Sequence, residues 1–397
     1  MERSRWHTLG LTALCLSGYF LSGSAAILFP TILPSIMRGF HLNTAQVGIV
    51  FPANAVGSLI GGLMVGLWSD RVGHRLFICG SAVCLAAGLL LSAFATQWSL
   101  FVIGFLVIGI AQGPFSPAIN ALLLDLHPLR RARTLNLLHG VYSLGATLSP
   151  LLVGWVLSAT GWRVALEAEA GIWLLLGIVG LGFHYPSVAV PAKAKQFFHW
   201  NMPERGLFVR LFAVAFLYNG VAWALLGWIK VFMKQSSVHS GVLVNGNYMI
   251  SLFYLGLAGG RFSCAGLSER WGYGKTLLIC GVGSTLAYPL VAFGSQPGWI
   301  AVGMFLSGLF LAGLYPTAIA YGTRLLPALT GMVAGTMSIA MTLGSMLPPW
   351  WTGVAAGAWG LHATFVFNFI LVVPLIPIAL YLRRVEHYEP VEAVAAG

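Results

Sequence analysis

The stretch Gly66-Leu67-Trp68-Ser69-Asp70-Arg71-Val72-Gly73-His74-Arg75 decides the reading of this chain, because a degraded copy of it returns in the second half. Ser268-Glu269-Arg270-Trp271-Gly272 repeats Ser69 to Gly73 at a displacement of 199 residues, close to half of the 397-residue length. The same displacement carries Tyr19 to Tyr218, Gly57 to Gly256, Gly61 to Gly260, Pro117 to Pro316, Gly145 to Gly344, Pro150 to Pro349 and Gly161 to Gly360. One shared glycine means little. A single register held through the chain reads as a duplication.

Working outward, 58% of the residues are apolar and only 8% are charged, against roughly a quarter charged in soluble domains. Apolar runs of about 18 residues or more recur from end to end, each long enough to cross a hydrocarbon core as a helix. Unbroken runs fit helices, whereas barrel strands alternate. The expected fold class is an all-α integral membrane protein with twelve transmembrane helices in two parallel six-helix repeats. Residues 1–184 form the first bundle, 185–205 a polar cytoplasmic linker, and 206–397 the second bundle with a short polar tail. The twelve spans are expected at 10–36, 45–69, 76–95, 100–124, 134–159, 164–184, 207–232, 241–267, 276–293, 299–323, 330–356 and 361–382.

The net charge of +11 does not imply nucleic acid, since Lys and Arg are not gathered on one face. They fall in alternate loops: Arg71, Arg75, Arg130, Arg131, Arg133, Lys193, Arg270, Lys275, Arg324 and Arg383 on one side, and only Arg38, Arg163, Lys230 and Lys234 towards the other. Positive charge favours the inside, so both termini are expected to be cytoplasmic, in the cytoplasmic (inner) membrane. Arg3 and Arg5 before an apolar run have the outline of a secretory signal. Tyr19, however, has its counterpart Tyr218, so this run reads as a retained first span. The five cysteines have neither zinc nor redox spacing and read as small core residues.

The stretch from Gly66 to Arg75 resembles the signature between the second and third helices of the major facilitator superfamily. That signature is Gly, three residues, Asp, Arg or Lys, any residue, Gly, any residue, Arg or Lys, and Gly66, Asp70, Arg71, Gly73 and Arg75 match it. The resemblance implies a secondary transporter working by alternating access, with a small-molecule solute, the lipid bilayer and a coupled ion as partners. It implies neither cofactor nor metal, and a monomer is expected. A latch is expected at the inner ends of the helices, formed by Gly66, Asp70, Arg71, Gly73, Arg75, Asp125, Glu269 and Arg270. In it Asp70 meets the positive end of a helix, and Arg71 or Arg75 pairs with Asp125.

A finer similarity, to the fucose and hexose proton-symporter branch, rests on Asn136-Leu137-Leu138-His139-Gly140, Gly145, Pro150, Tyr218-Asn219-Gly220 and Tyr315-Pro316-Thr317. This chain departs from that branch where acids matter. The first span has no Asp or Glu, the fourth has none before Asp125, and Ala222 stands in the seventh where relatives carry Glu.

In such a fold the solute binds near the membrane midplane, and polar groups inside the membrane need a reason. Gln112, Ser116 and Asn120 recur every four residues and share one face of the fourth helix. His139 with Tyr142 marks the fifth helix, Asn219 and Trp223 the seventh, Asn247 and Tyr254 the eighth, and Tyr315 the tenth; Tyr19 and Asn54 complete the candidate substrate-binding set. Uncharged amides, hydroxyls and rings suit a neutral, sugar-like solute, although such residues also join helices by hydrogen bonds. His139, Glu167 and Glu169 are the candidates for ion coupling, and Arg163 is a candidate partner for either glutamate. The alternatives are an efflux antiporter for drugs or amphipathic compounds, and a membrane sensor that moves nothing. No enzyme is expected, because no metalloprotease, nucleophile-elbow or phosphate-loop motif occurs.

Overall fold

The computed structural model describes residues 2–68, 73–129, 131–186, 205–235 and 245–388, and among them every regular element is helical. In order these are α1 (Glu2–Gly39), α2 (Thr44–Val47), α3 (Val50–Trp68), α4 (Ser81–Ala93), α5 (Trp98–Leu126), α6 (Arg131–Ala159) and α7 (Trp162–Leu181). Then follow α8 (Arg205–Gln235), α9 (Gly246–Trp271), α10 (Tyr273–Ala292), α11 (Pro297–Leu311), α12 (Leu314–Leu325), α13 (Thr330–Phe367) and α14 (Leu375–Tyr388). Helices are the form in which an apolar segment satisfies its own backbone in lipid. Eleven helical stretches are long and apolar enough to cross a membrane, and the last, Thr330–Val385, is 56 residues long. It holds two spans, because Gly360 at φ 78° breaks α13. The twelve-span reading therefore stands.

The contacts divide the chain into two compact units, Met1–Lys193 and Ala194–Gly397. Most of the expected linker, 187–204, lies outside the described residues. In the first unit α1 packs on α6, α3 on α5, and α4 on both α5 and α7. In the second, α8 packs on α13, α9 on α11, and α10 on both α11 and α14.

The 199-residue register reappears in these contacts. A methyl group added at Gly57 would strike the Leu106 carbonyl, and one at Gly256 the Phe305 carbonyl. Gly61 meets the Ile110 carbonyl and Gly260 the Leu309 carbonyl; Gly109 meets the Asn54 carbonyl and Gly308 the Phe253 carbonyl. Every one of these pairs of partners is itself 199 residues apart. Gly161 and Gly360, equally displaced, both take positive φ, 105° and 78°, a conformation glycine adopts without a Cβ penalty. The small residues that let two helix backbones touch are thus the same ones that betray the duplication.

Several boundaries differ from expectation for local reasons. The turn before the second span contains α2, where Asn43 and Gln46 cap one another's backbone amides, a reciprocal arrangement that satisfies two otherwise unpaired donors. The tenth span is two helices, α11 and α12, meeting at Ala312 and Gly313. There a side chain on Gly313 would press on the sulfurs of Cys264 and Cys280. The eighth span starts at Gly246 in the structure, and 241–244 of its expected range lie outside the described residues.

Candidate functional site

In the first unit the sequence-predicted residues of three helices converge. The Tyr19 hydroxyl of α1 and Ser116 Oγ of α5 share a hydrogen bond of 2.8 Å. Asn120 Nδ2, one turn further along α5, donates to the Ser116 carbonyl at 2.8 Å and approaches the Tyr19 oxygen at 3.4 Å. From α6, the His139 ring stands edge-on to Tyr19 with centroids 5.5 Å apart, and Tyr142 lies 5.7 Å away. Tyr19 is buried, Ser116 and Asn120 are half-buried and His139 is exposed. The spacing of four on α5 and of three on α6 turns these side chains to one face each. Gln112, on the same α5 face, is half-buried. Asn54 is not part of the group: its amide donates to the Phe105 carbonyl at 3.2 Å, beside the Gly109 crossing, and joins α3 to α5.

In the second unit Tyr218 of α8 and Tyr315 of α12 stack at 6.2 Å between centroids. Asn219, buried beside Tyr218, donates to the Met341 carbonyl of α13 at 2.5 Å. Trp223 lies one turn on and is half-buried. Asn247 and Tyr254 of α9 are buried, and the Asn247 side-chain oxygen has no hydrogen-bond partner among the described residues. The described partners of Tyr19, Ser116, Asn120 and Asn219 are all uncharged, so the groups offer donors, acceptors and ring faces without a fixed charge.

Of the expected latch, Asp70, Arg71 and the Glu269 side chain lie outside what the structure describes. Gly66 falls in the last turn of α3, Gly73 is exposed, and Arg270 is exposed in the last turn of α9. Asp125 meets His74, whose Nε2 is 3.4 Å from its carboxylate. Arg75, expected to pair with Asp125, donates instead to the Leu181 carbonyl at the end of α7, at 2.5 Å. Beside it the Tyr185 hydroxyl donates to the Gly180 carbonyl and contacts Cys79; burial first, and then that sulfur, push the phenol above its ordinary pKa.

The two glutamates of α7 have unlike surroundings. Glu167 is half-buried, whereas Glu169 is 6% exposed. Neither is paired with Arg163, which donates to the Ala93 and Ala95 carbonyls at 3.1 and 3.3 Å and lies over the Trp162 ring. A guanidinium with several donors is suited to the open carbonyls at the end of α4. Glu169 accepts from Ser24 Oγ at 3.0 Å and from Trp173 Nε1 at 3.3 Å, and Ser24 Oγ is 3.0 Å from Ser149 Oγ. Sequence reasoning missed His74, Ser24, Ser149 and Trp173. Only Trp173 had a readable signal, its place four residues after Glu169.

A sequence model described as the Major Facilitator Superfamily matches residues 15–248 and 244–396. The chain belongs to the Major Facilitator Superfamily. Among its relatives is a probable 4-methylmuconolactone transporter of Cupriavidus pinatubonensis, 24% identical over 330 residues, covering 77% of this chain and 76% of that protein. The sodium-dependent glucose transporter 1 of Rattus norvegicus is 33% identical over 150 residues, covering 37% of this chain and 30% of the rat protein. The crystal structure of the nucleoside transporter NupG superposes with a TM-score of 0.77 over 94% of this chain and 99% of that one, at 16% identity. This Major Facilitator Superfamily member therefore shares the fold across nearly its whole length with a transporter of quite different sequence.

Proposed function

We propose that this member of the superfamily carries a small, neutral, sugar-like solute across the cytoplasmic membrane by alternating access. The observation that carries the reading is the uncharged set of Tyr19, Ser116 and Asn120, joined by hydrogen bonds, with the rings of His139 and Tyr142 around Tyr19. Rings present flat apolar faces to the C–H face of a sugar, while amide and hydroxyl groups match its hydroxyls. An anionic solute would call for a cation, and among the described residues no Lys or Arg is hydrogen-bonded to Tyr19, Ser116 or Asn120. The glucose-transporting rat relative supports the same reading. The Lys and Arg distribution supports cytoplasmic termini, and the 66–75 stretch is assigned the inner latch.

Purified protein in proteoliposomes should take up labelled hexose saturably, and Asn120→Ala should reduce that uptake. A second reading, an organic acid as solute, is favoured by the relative named for 4-methylmuconolactone and by the exposed imidazole of His139, which becomes a cation on protonation. Hexose uptake that is absent while aromatic or aliphatic acids are accumulated would replace the sugar reading by this one.

A further inference from the structure

Among the acidic side chains that the structure describes, those of Asp125, Glu167 and Glu169, that of Glu169 alone is buried. It lies two turns inside α7, is 6% exposed, and its only described partners are the Ser24 hydroxyl at 3.0 Å and the Trp173 indole N–H at 3.3 Å. An ionised carboxylate held there has two donors and no counter-charge, an arrangement that an apolar surrounding penalises. Among the described residues no ion pair reaches it from the helices packed against α7. His7, Tyr19 and Arg38 of α1, Cys84 of α4, and His139 and Tyr142 of α6 make other contacts. On α7 itself Arg163 is bound to the Ala93 and Ala95 carbonyls, and Glu167, two residues away, points to a different face.

The hydroxyls around Glu169 accommodate both of its protonation states. With the carboxylate ionised, Ser24 Oγ donates to Glu169 Oε2 at 3.0 Å, and Ser149 donates to the Ser24 carbonyl at 3.5 Å. With a proton on Oε2, the new O–H donates to Ser24 Oγ, the Ser24 hydroxyl turns to Ser149 Oγ at 3.0 Å, and Ser149 keeps its bond to the Ser24 carbonyl. Trp173 donates to Oε1 throughout. One proton is taken up, the Ser24 hydroxyl turns, and every donor keeps an acceptor.

The relay also joins α1 to α6. Ser24 follows Gly23, where α1 rests on the α6 backbone at Tyr142 and Ala146, and Ser149 precedes Pro150 of α6. Tyr19 is five residues before Ser24, about 7.5 Å along the helix. We propose that Glu169, with Ser24, Ser149 and Trp173, is a proton-binding site whose occupancy switches the hydroxyl bridge between α1 and α6 and so couples a proton to the solute. The coupling part rests on the transport reading above; proton binding does not. The position differs from those at which the branch this chain resembles carries its acids, in the first, fourth and seventh helices.

Infrared difference spectra of the purified protein between acid and alkaline pH test it without any solute. A carboxylic-acid carbonyl band from a dry site should appear on acidification, vanish in Glu169→Gln and persist in Glu167→Gln. Its persistence in Glu169→Gln, or its absence from the wild type, overturns the proposal. Should Glu169→Gln not fold, Trp173→Phe, which removes one donor, should move the pH at which the band appears; an unmoved band also overturns it. In proteoliposomes a pH gradient should stimulate hexose uptake by the wild type and not by Glu169→Gln. Stimulation retained by Glu169→Gln refutes the coupling. Absence of hexose uptake from every variant counts against the sugar reading and leaves the infrared result to decide proton binding.

Discussion

Replacing Gly57 by Ala tests the closeness of the helix crossings on which each unit is built. The added methyl carbon would overlap the Leu106 carbonyl oxygen and come within 2.9 Å of the Ile110 nitrogen, where an unstrained contact needs about 3.5 Å. Both atoms belong to the α5 backbone and cannot turn aside, so α3 and α5 must separate along a line that also holds Gly61, Gly109 and Gly113. Inserting a methyl group into a packed contact costs about 1–3 kcal/mol. For a unit of this size each kcal/mol lowers the melting temperature by about 2–4 °C, a loss of roughly 2–12 °C. Gly62→Ala is the control, since nothing lies within 4 Å of its added methyl and alanine favours the helix by about 0.5–1 kcal/mol. Gly256→Ala repeats the experiment at the corresponding crossing, against the Phe305 carbonyl, and should fall with Gly57→Ala. Size-exclusion survival after heating in detergent reads all three. If Gly57→Ala and Gly62→Ala melt within about 1 °C of one another, the reasoning from backbone contact is wrong.

Tyr19→Phe removes the hydroxyl bonded to Ser116 and approached by Asn120; at about 0.5–1.5 kcal/mol for one bond it should weaken solute affinity roughly 2- to 13-fold in an uptake titration. Asp70→Asn, in the latch stretch, should slow turnover and leave affinity within about 3-fold, under 1 kcal/mol; outright loss of binding would remove the latch assignment. Arg163→Gln leaves the Ala93 and Ala95 carbonyls without their charged donor, and a loss of about 1 kcal/mol should lower the melting temperature by about 2–4 °C.

The fold was legible because the membrane restricts the choices. Apolar length identifies spans, and where two backbones touch only glycine fits, so Gly57 and Gly256 preserved a register that the side chains around them had lost. The α5 stripe of Gln112, Ser116 and Asn120 was legible from its spacing alone. Its partner Tyr19 was named for its place in the repeat, and the hydrogen bond between them lies across 97 residues. The surroundings of Glu169 were not legible, since Ser24 and Ser149 come from helices 145 and 20 residues away, and a serine in an apolar span ordinarily bonds its own backbone, as Ser143 does to His139. The pairing of Asp125 with His74 rather than Arg75 turned on which neighbour the end of α7 claims: the Leu181 carbonyl takes the guanidinium. Sequence proximity cannot separate residues 74 and 75.

Counterflow in proteoliposomes is the most direct measure of the central claim, that uncharged groups around Tyr19 hold a neutral solute during transport. Vesicles loaded with unlabelled hexose should transiently accumulate external labelled hexose, competing neutral sugars should abolish the overshoot, and Asn120→Ala should diminish it. An overshoot driven by organic acids and untouched by every neutral sugar would contradict the account.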